Sequence, residues 1–269
     1  EEVELDAKLS VTQNSQVYYD RSKKLSSKIK GALDAIEATK KMTGKEEAPK
    51  KTGQKLPAHK QKWYEQFRWF ISSDGFLVIG GRDAESNENI VKKYMEKRDI
   101  FFHAHVSGSP AVVVKTEGKE VPETTLAEAA QFTVSYSVIW KSGQASGDAY
   151  WVLPEQVSKT PESGEYVAKG AFVIRGQRNF YKDVMLGAAL GLILNEDKRL
   201  IGGPASAVRK KAQFVMDVEP GEFEQNDISK KIYRMLVDKF EDKKLIKDIA
   251  SPDKIAMFLP PGMSRVKGS

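Results

Sequence analysis

The 269-residue sequence predicts an α+β fold, with a mixed, largely antiparallel sheet, flanking helices and a long amphipathic (coiled-coil) helix in front of them. Three observations favour this class. Apolar residues recur at helical spacing near the N-terminus, two short apolar runs flank Asp74-Gly75, and strand-like and helix-like segments alternate from Trp63 onward. Asp-Gly between apolar runs is a strong hairpin signal, and a hairpin joins antiparallel neighbours.

Residues 1–42 are predicted to form a coiled-coil helical arm. Leu25, Ile29, Ala32 and Ile36 follow one another at three- and four-residue steps, the spacing of one helix face. A single helix cannot bury this stripe by itself. A second arm of the same protein, a dimer through this helix, and packing on the following domain all remain open.

Residues 43–61 are predicted to be a Lys-rich flexible linker, because large apolar residues are almost absent there. Residues 40–62 hold eight Lys and two Glu, a local charge of +6 that equals the net charge of the whole chain. The basic character therefore belongs to one segment. This segment is either simply solvated or adds salt-sensitive affinity for phosphate backbones.

Residues 62–263 are predicted to form the main domain, with residues 264–269 as a tail. We expect a type I′ turn at Asp74-Gly75, and Thr125 to Glu128 has the spacing of a capping box that would begin a helix. Asn226-Asp227 is a plausible cap for a later helix. The predicted strands are 67–73, 76–80, 99–106, 111–115, 148–153, 170–175, 184–194 and 213–218, and the predicted helices are 84–96, one beginning near Thr125, 204–211, 226–240 and 252–258.

Composition excludes several classes of protein. The chain has no Cys, so disulfides, thiolate nucleophiles and Cys-based zinc sites are excluded. No run of about 18 apolar residues is present and the first residues are acidic, which argues against a membrane span and a signal peptide. We expect a cytoplasmic protein without a cofactor. The start at Glu1 and the end at Lys267-Gly-Ser269 suggest a fragment of a longer protein.

Two blocks of motifs carry a resemblance to a known domain. The chain contains Trp63-Tyr64-x-x-Phe67-x-Trp69, Ser73-Asp74-Gly75, Gly80-Gly81-Arg82-Asp83, Asn87-Glu88 and His103-Ala104-His105, followed by Tyr150-Trp-Val-Leu-Pro154, Ser163-Gly164-Glu165-Tyr166 and Gly170-x-Phe172-x-Ile174-Arg175-Gly176-x-Arg178-Asn179-Phe180. In this order they resemble the NFACT-R (DUF814) domain of the NFACT family, which includes RqcH, fibronectin-binding protein A, nuclear export mediator factor and Caliban. The chain departs from the family pattern at His105, where an acidic residue is common.

The resemblance implies an RNA-binding module of a ribosome-associated quality-control factor. Such a factor binds obstructed large ribosomal subunits and peptidyl-tRNA and supports template-free C-terminal tailing of stalled nascent chains. The implied partners are large-subunit rRNA, tRNA, and an N-terminal NFACT-N domain and ascending coiled-coil arm that we expect to be missing here. The chemistry would remain the ribosome's, so the module is not expected to be an enzyme.

The strongest nucleic-acid candidates lie in the run Arg175 to Lys182, which we expect to emerge at the end of a strand. Guanidinium groups give bidentate phosphate contacts, and the rings of Phe180 and Tyr181 could stack on unpaired bases. The alternative places both rings in the core. The predicted RNA-binding residues are Arg175, Arg178, Asn179, Lys182, Arg82, His103, His105, Lys92 and Lys93.

His103 and His105 lie two residues apart on a predicted strand, so their side chains share one face. Zinc would need further ligands that the sequence supplies poorly, and no metal site is predicted. Four readings stay open for the pair, namely metal binding, RNA contact, a structural role and general acid–base catalysis. The last is the alternative function, an RNA-processing or RNA-modifying enzyme domain.

Overall fold

The computed structural model describes residues 61–160, 167–195 and 197–268, together with isolated positions between Ser10 and Ile29. The chain divides into two compact units, residues 1–59 and 60–269. In the first unit the described positions from Val11 to Ile29 are helical, and Leu25 and Ile29 are exposed. Ala32, Ile36 and the predicted linker lie outside the described residues, so the coiled-coil arm stays a prediction.

The second unit begins with the hairpin that the Asp-Gly signal predicts. A 3₁₀ turn at Trp63–Gln66 leads into β1 (Arg68–Ile71), which pairs with β2 (Leu77–Gly80) in antiparallel register. The expected type I′ turn is wrong, because in this turn only Gly75 has a positive φ, of 93°. Its amide donates to the carbonyl of Ser72 at 3.0 Å. A three-residue loop with glycine in the left-handed region therefore replaces the two-residue turn.

The hairpin belongs to a six-stranded antiparallel sheet with the order β1-β2-β4-β3-β5-β8. A short helix follows the hairpin, and a longer helix lies across one face of the sheet. These elements are α1 (Ala84–Asn89) with a π-helical turn (Ile90–Tyr94), β3 (Ile100–Ala104), β4 (Val112–Lys115), α2 (Glu123–Ser135), a 3₁₀ turn (Val138–Ser142), β5 (Ser146–Val152), and β8 (Asn179–Met185). Between the last two strands, β6 (Val157–Ser158) and β7 (Val173–Ile174) form a separate antiparallel pair.

A second, four-stranded antiparallel sheet has the order β10-β9-β11-β12. Its strands and helices are β9 (Ala188–Ile193), β10 (Arg199–Gly203), α3 (Ala205–Lys211), β11 (Phe214–Phe223), α4 (Gln225–Lys239), α5 (Lys243–Ile249), α6 (Pro252–Phe258) and β12 (Ser264–Val266). The α+β class and the antiparallel pairing are thus confirmed.

The structure adds four strands and helices to the prediction and divides one strand. β6, β10, α5 and β12 have no counterpart among the predicted elements, and β12 lies in the segment assigned to the tail. The single strand predicted over 184–194 is wrong, because β8 ends at Met185 in one sheet and β9 begins at Ala188 in the other. The helix at Gln225 also lacks the expected cap, since Glu224 precedes it and makes no side-chain cap hydrogen bond.

Both faces of the six-stranded sheet are covered over β1 to β4. Phe102 and Val112 pack with Phe132 of α2 on one face, and Trp69 packs with Ile201 of the second sheet on the other. A third cluster fills the space between the second sheet and α4, α5 and α6. The first sheet is therefore the central layer of the domain, and its free surfaces are the loops at its ends and the exposed edge strand β8.

The expected capping box at Thr125 is wrong. Helix α2 begins at Glu123, so Thr125 lies inside it and is fully buried. Its hydroxyl lies 2.8 Å from both Ser72 Oγ and Asp74 Oδ2. The residue therefore holds the hairpin loop against the helix instead of capping the helix.

Glu128, the other half of the expected box, is also buried in α2. Its carboxylate accepts hydrogen bonds from the Ser73 amide at 2.8 Å and from Ser206 Oγ of α3 at 2.7 Å, and the Ser73 hydroxyl also donates to it. A buried carboxylate is tolerated when donors replace its water shell. This one ties the hairpin, α2 and α3 together.

The neighbouring residues Thr124 and Thr125 of α2 allow an isosteric test of the contact between the Thr125 hydroxyl and the hairpin loop. We expect Thr125→Val to lower the free energy of unfolding by about 1–2 kcal/mol, because it leaves buried polar groups without their partner. Thr124 is exposed, so Thr124→Val should change it by less than about 0.5 kcal/mol. Urea unfolding monitored by circular dichroism measures both. Equal losses in the two variants would contradict the role assigned to Thr125.

Candidate nucleic-acid interface

A cavity of about 520 Å³ opens at one end of the six-stranded sheet. It lies among β1, the turn after β2, the end of β3, the 3₁₀ turn after α2 and the segment before β7. We call it the basic cleft and define it by the basic side chains that line it, namely Arg68, Arg82, His103, Lys141 and Lys169. Asp83 is the one carboxylate in the same lining.

Arg68 lies on the wall of the basic cleft. Its Nη1 donates to the Gly81 carbonyl at 2.8 Å, and its guanidinium lies 5.5 Å from the centre of the Tyr136 ring. Burial is the main cause that lowers the pKa of Arg68, and the positive charge of Arg82 lowers it further, while Tyr136 and Asp83 act in the opposite direction. The two arginines are therefore close enough to repel each other.

Arg82 is held by backbone carbonyls of the turn before β1. Its Nε donates to Gln66 O and its Nη2 to Phe67 O, each at 3.2 Å. Burial also lowers the pKa of Arg82. In the part of the chain that the structure describes, neither Arg68 nor Arg82 forms an ion pair with a carboxylate.

Tight backbone packing shapes the rim of the cleft. A Cβ on Gly81 would lie only 1.8 Å from Asn87 Oδ1. That oxygen accepts from the Ala111 amide at 3.0 Å, while the Gly81 amide donates to the Ala111 carbonyl at 3.0 Å. Asp83 then caps α1 through a capping box with Ser86. The motif Gly80-Gly81-Arg82-Asp83 and Asn87 together position Arg82.

Glu88 anchors the segment on the other side of the cleft. Its carboxylate contacts Lys159 Nζ at 2.5 Å, Lys92 Nζ at 2.9 Å and the Gly170 amide at 3.1 Å. Hydrogen bonds from Lys159, then from Lys92 and Gly170, lower the pKa of Glu88 to about 2. This carboxylate connects α1 to the segment that carries Lys169.

A cluster of rings and one guanidinium adjoins the cleft, and we call it the stacking platform: Arg178, Tyr150, Phe180 and His105. The Arg178 guanidinium lies 4.8 Å from the centre of the Tyr150 ring. The Phe180 ring centre lies 5.6 Å from that of Tyr150 and 5.3 Å from that of His105. Phe180 is 43% exposed, so its ring is available for a ligand.

His103 connects the two surfaces. It lines the cleft, and its ring centre lies 6.0 Å from that of Tyr150 in the platform. Its Nδ1 lies 2.7 Å from the Ala104 carbonyl, and burial lowers the pKa of His103 despite that contact. A neutral imidazole at the junction of cleft and platform is the form that this environment favours.

A family model described as the NFACT protein RNA binding domain matches residues 66–176. Curated relatives named as ribosome quality control complex subunits are 33–40% identical to the chain. The chain belongs to the NFACT family. The basic cleft and most of the stacking platform lie inside or directly beside the matched NFACT region.

Three NFACT relatives illustrate the extent of the similarity. The archaeal Rqc2 homolog aRqcH of Methanocaldococcus jannaschii is 44% identical over 204 residues, covering 75% of this chain and 29% of that protein. The ribosome quality control complex subunit NEMF homolog of Drosophila melanogaster is 40% identical, covering 74% and 21%. The Homo sapiens subunit NEMF is 36% identical, covering 70% and 18%. The chain thus spans less than a third of each of these relatives.

Among solved structures, the chain is similar to the C-terminal part of the fibronectin/fibrinogen-binding protein from Streptococcus suis. The match covers 66% of this chain and 77% of that one, with 18% identity and a TM-score of 0.38. This similarity is too weak to support an argument about function.

The run Arg175 to Lys182 of this NFACT chain is divided between a loop and a strand. Arg175 to Arg178 follow the end of β7, as predicted, whereas the second half of the run forms the edge strand β8. Phe180 faces the platform, whereas Tyr181 turns to the other side of the sheet and bonds with Glu123 Oε1 at 2.6 Å. The alternative that placed both rings in the core therefore holds for Tyr181 only.

Five of the predicted RNA-binding residues lie outside the basic cleft and the stacking platform. Lys182 is exposed on β8, and Lys93 is exposed on the π-helical turn, outside the cleft lining. Lys92 pairs with Glu88. Arg175 Nη2 donates to the Thr160 carbonyl at 3.3 Å, and Asn179 Nδ2 donates to the Trp151 carbonyl at 3.4 Å. Only Arg82, His103, His105 and Arg178 therefore form parts of the two defined surfaces.

Sequence reasoning missed four residues of the two surfaces. Arg68, Lys141 and Lys169 line the cleft, and Tyr150 carries the platform. Arg68 offered one signal in the sequence, since it is a charged residue directly between two aromatic residues, Phe67 and Trp69. The two lysines offered none, because they reach the cleft only through tertiary packing.

The described residues contain no cluster of three or more His, Asp or Glu side chains that could hold a metal ion. Within the same residues, no helix has the length and apolar character that crossing a bilayer requires.

The titration of Glu88 tests the anchor of the cleft. We expect carbon NMR of its carboxyl group to give a midpoint of about 2 instead of the ordinary 4.5. Because the folded pKa is depressed, the anchor's stabilisation is fully present above pH 4.5 and is lost as the pH falls through about 2.

Two lysine variants rank the causes of this shift. Lys159→Gln should raise the Glu88 midpoint more than Lys92→Gln does, because the Lys159 hydrogen bond is the larger cause. A wild-type midpoint near 4.5, or the reverse ranking, would show that Lys159 does not hold the anchor.

Proposed function

We propose that the chain is a non-catalytic RNA-binding module of a cytoplasmic, ribosome-associated quality-control factor. The observation that carries this proposal is the stacking platform beside a basic cleft. The five residues that define the cleft, together with Tyr150 and His105 of the platform, lie within the region that matches a family model for RNA binding. The names of the relatives support the association with ribosome quality control.

The platform has the chemistry that unpaired RNA requires. Phe180 presents a partly exposed ring beside Tyr150 and His105, and stacking of a base on such a ring contributes about 1–3 kcal/mol. The planar guanidinium of Arg178 lies over Tyr150 and keeps donors for a phosphate or a base edge. Rings and cations on one surface favour single-stranded segments and loops over a regular duplex.

In the ribosomal setting, the module would contact large-subunit rRNA and tRNA on an obstructed subunit that carries peptidyl-tRNA. It would support template-free C-terminal tailing by helping to hold the factor and the tRNA in place, while the ribosome performs the chemistry. An NFACT-N domain and an ascending coiled-coil arm of the same protein would complete the factor. A dimer through the N-terminal helix stays a further possibility in this proposal.

The alternative of an RNA-processing or RNA-modifying enzyme centred on His103 and His105 has less support. His103 is half-buried, and its Nδ1 is engaged with a carbonyl of its own strand. Both histidines contact the Tyr150 ring, which favours packing and RNA contact as their roles.

Co-sedimentation with purified large ribosomal subunits carrying peptidyl-tRNA tests the proposal. We expect saturable binding that weakens as salt rises, because phosphate contacts release counterions. Arg178→Glu should weaken binding about tenfold or more, since it removes a charged contact of about 1.5–3 kcal/mol and adds repulsion. Arg234→Glu, the same charge change on the exposed face of α4, is the matched control and should leave binding within about twofold.

A second pair of variants separates stacking from charge. Phe180 and Met185 are both exposed apolar side chains of β8, at 43% and 60%. Phe180→Ala should weaken binding about tenfold through loss of a stacked base, whereas Met185→Ala should not. The proposal would be overturned if the wild type did not bind at low salt. It would also be overturned if each variant weakened binding no more than its matched control, in both pairs.

A further inference from the structure

The lining of the basic cleft holds more positive than negative charge, because Asp83 is the one carboxylate beside its arginines and lysines. Arg68 and Arg82 line it, and neither forms an ion pair with a described carboxylate. Lys141 lines the same cavity and also has no ion pair among the described residues. Three cations around one cavity repel one another, and this repulsion lowers stability unless an anion compensates for it.

The guanidinium groups are held in place before any ligand arrives. Arg68 is fixed by the Gly81 carbonyl and the Tyr136 ring, and Arg82 by the carbonyls of Gln66 and Phe67. These bonds use only part of the five donors that each guanidinium carries. The remaining donors are free for a ligand whose oxygens accept several hydrogen bonds at once, and phosphate is such a ligand.

The size and neighbours of the cleft indicate more than a lone phosphate. Its volume of about 520 Å³ lies within the range of small-molecule sites. His103 leads from the cleft to Tyr150 of the stacking platform, and Phe172 adds a further ring to the lining. A phosphate at the arginines therefore has room for an attached nucleoside and a path for the next base toward Phe180.

We propose that the basic cleft binds the phosphate of a single nucleotide unit, with Arg68, Arg82 and Lys141 as its ligands. The shared chemistry is a phosphate ester that carries a nucleoside. Two sources supply it, an unpaired nucleotide of an RNA strand and a free nucleoside monophosphate. That an RNA strand is the physiological source rests on the proposed function. Phosphate binding in the cleft does not depend on that function.

The experiment uses the full 269-residue chain. Its probes are an end-labelled single-stranded RNA of eight adenosines, measured by fluorescence anisotropy, and AMP and inorganic phosphate, measured by calorimetry. The cleft variants are Lys141→Glu and Arg82→Lys, and the platform variant is Phe180→Ala. Lys247→Glu, an exposed lysine of α5, matches the charge change of Lys141→Glu. Melting temperatures of all variants verify that the chain stays folded.

We expect Lys141→Glu to weaken RNA binding about tenfold at low salt and to reduce the salt slope by about one. Arg82→Lys keeps the charge but loses the planar donor pair, so it should also weaken binding. Lys247→Glu should change it by less than about twofold. AMP should compete with the RNA, and Lys141→Glu should weaken AMP binding to the same degree.

Each outcome separates this inference from the proposed function. If both cleft variants bind RNA like the wild type while Phe180→Ala loses binding, the cleft inference fails and the RNA-binding function stands. If AMP binds in a Lys141-dependent way but RNA does not bind, the cleft inference stands, with a free nucleotide as its ligand, and the proposed function fails. If the wild type binds none of the three probes, both are overturned.

Discussion

The buried carboxylate of Glu128 is the contact on which the layered arrangement depends. It lies in α2 and accepts hydrogen bonds from the hairpin loop at Ser73 and from α3 at Ser206. Removing a carboxylate from water carries a penalty of several kcal/mol unless donors surround it. The hairpin, α2 and α3 must therefore keep their mutual positions, and this requirement holds the loop where β1 ends and β2 begins. The basic cleft lies at the opposite end of these two strands.

The site beside this framework combines rigid support with unbalanced charge. Backbone carbonyls of Gly81, Gln66 and Phe67 orient the guanidiniums of Arg68 and Arg82 without neutralising them. By contrast, the cations that anchor the other wall are neutralised, since Lys159 and Lys92 both contact Glu88. Lys159 and Lys92 thus serve packing, whereas Arg68, Arg82 and Lys141 line the cavity next to the stacking platform without an ion pair among the described residues.

Local patterns were read well where neighbours in sequence are also neighbours in space. The hairpin, the antiparallel pairing and the helices over 204–211 and 252–258 are confirmed. The turn type and the capping box at Thr125 were read wrongly, because tertiary hydrogen bonds decide both. The apolar run 184–194 was read as one strand because hydrophobicity does not reveal that a chain leaves one sheet and enters another.

By itself, the sequence determined the α+β class, the family resemblance and five residues of the candidate interface: Arg82, His103, His105, Arg178 and Phe180. These follow from residue type, order and alternation, which act over a few positions along the chain. The tertiary structure alone decided that Arg68 and Lys141 lie beside Arg82, and that Tyr150 lies beneath Arg178. Positions far apart in the chain meet only through strand order and packing, and neither is encoded in any local pattern.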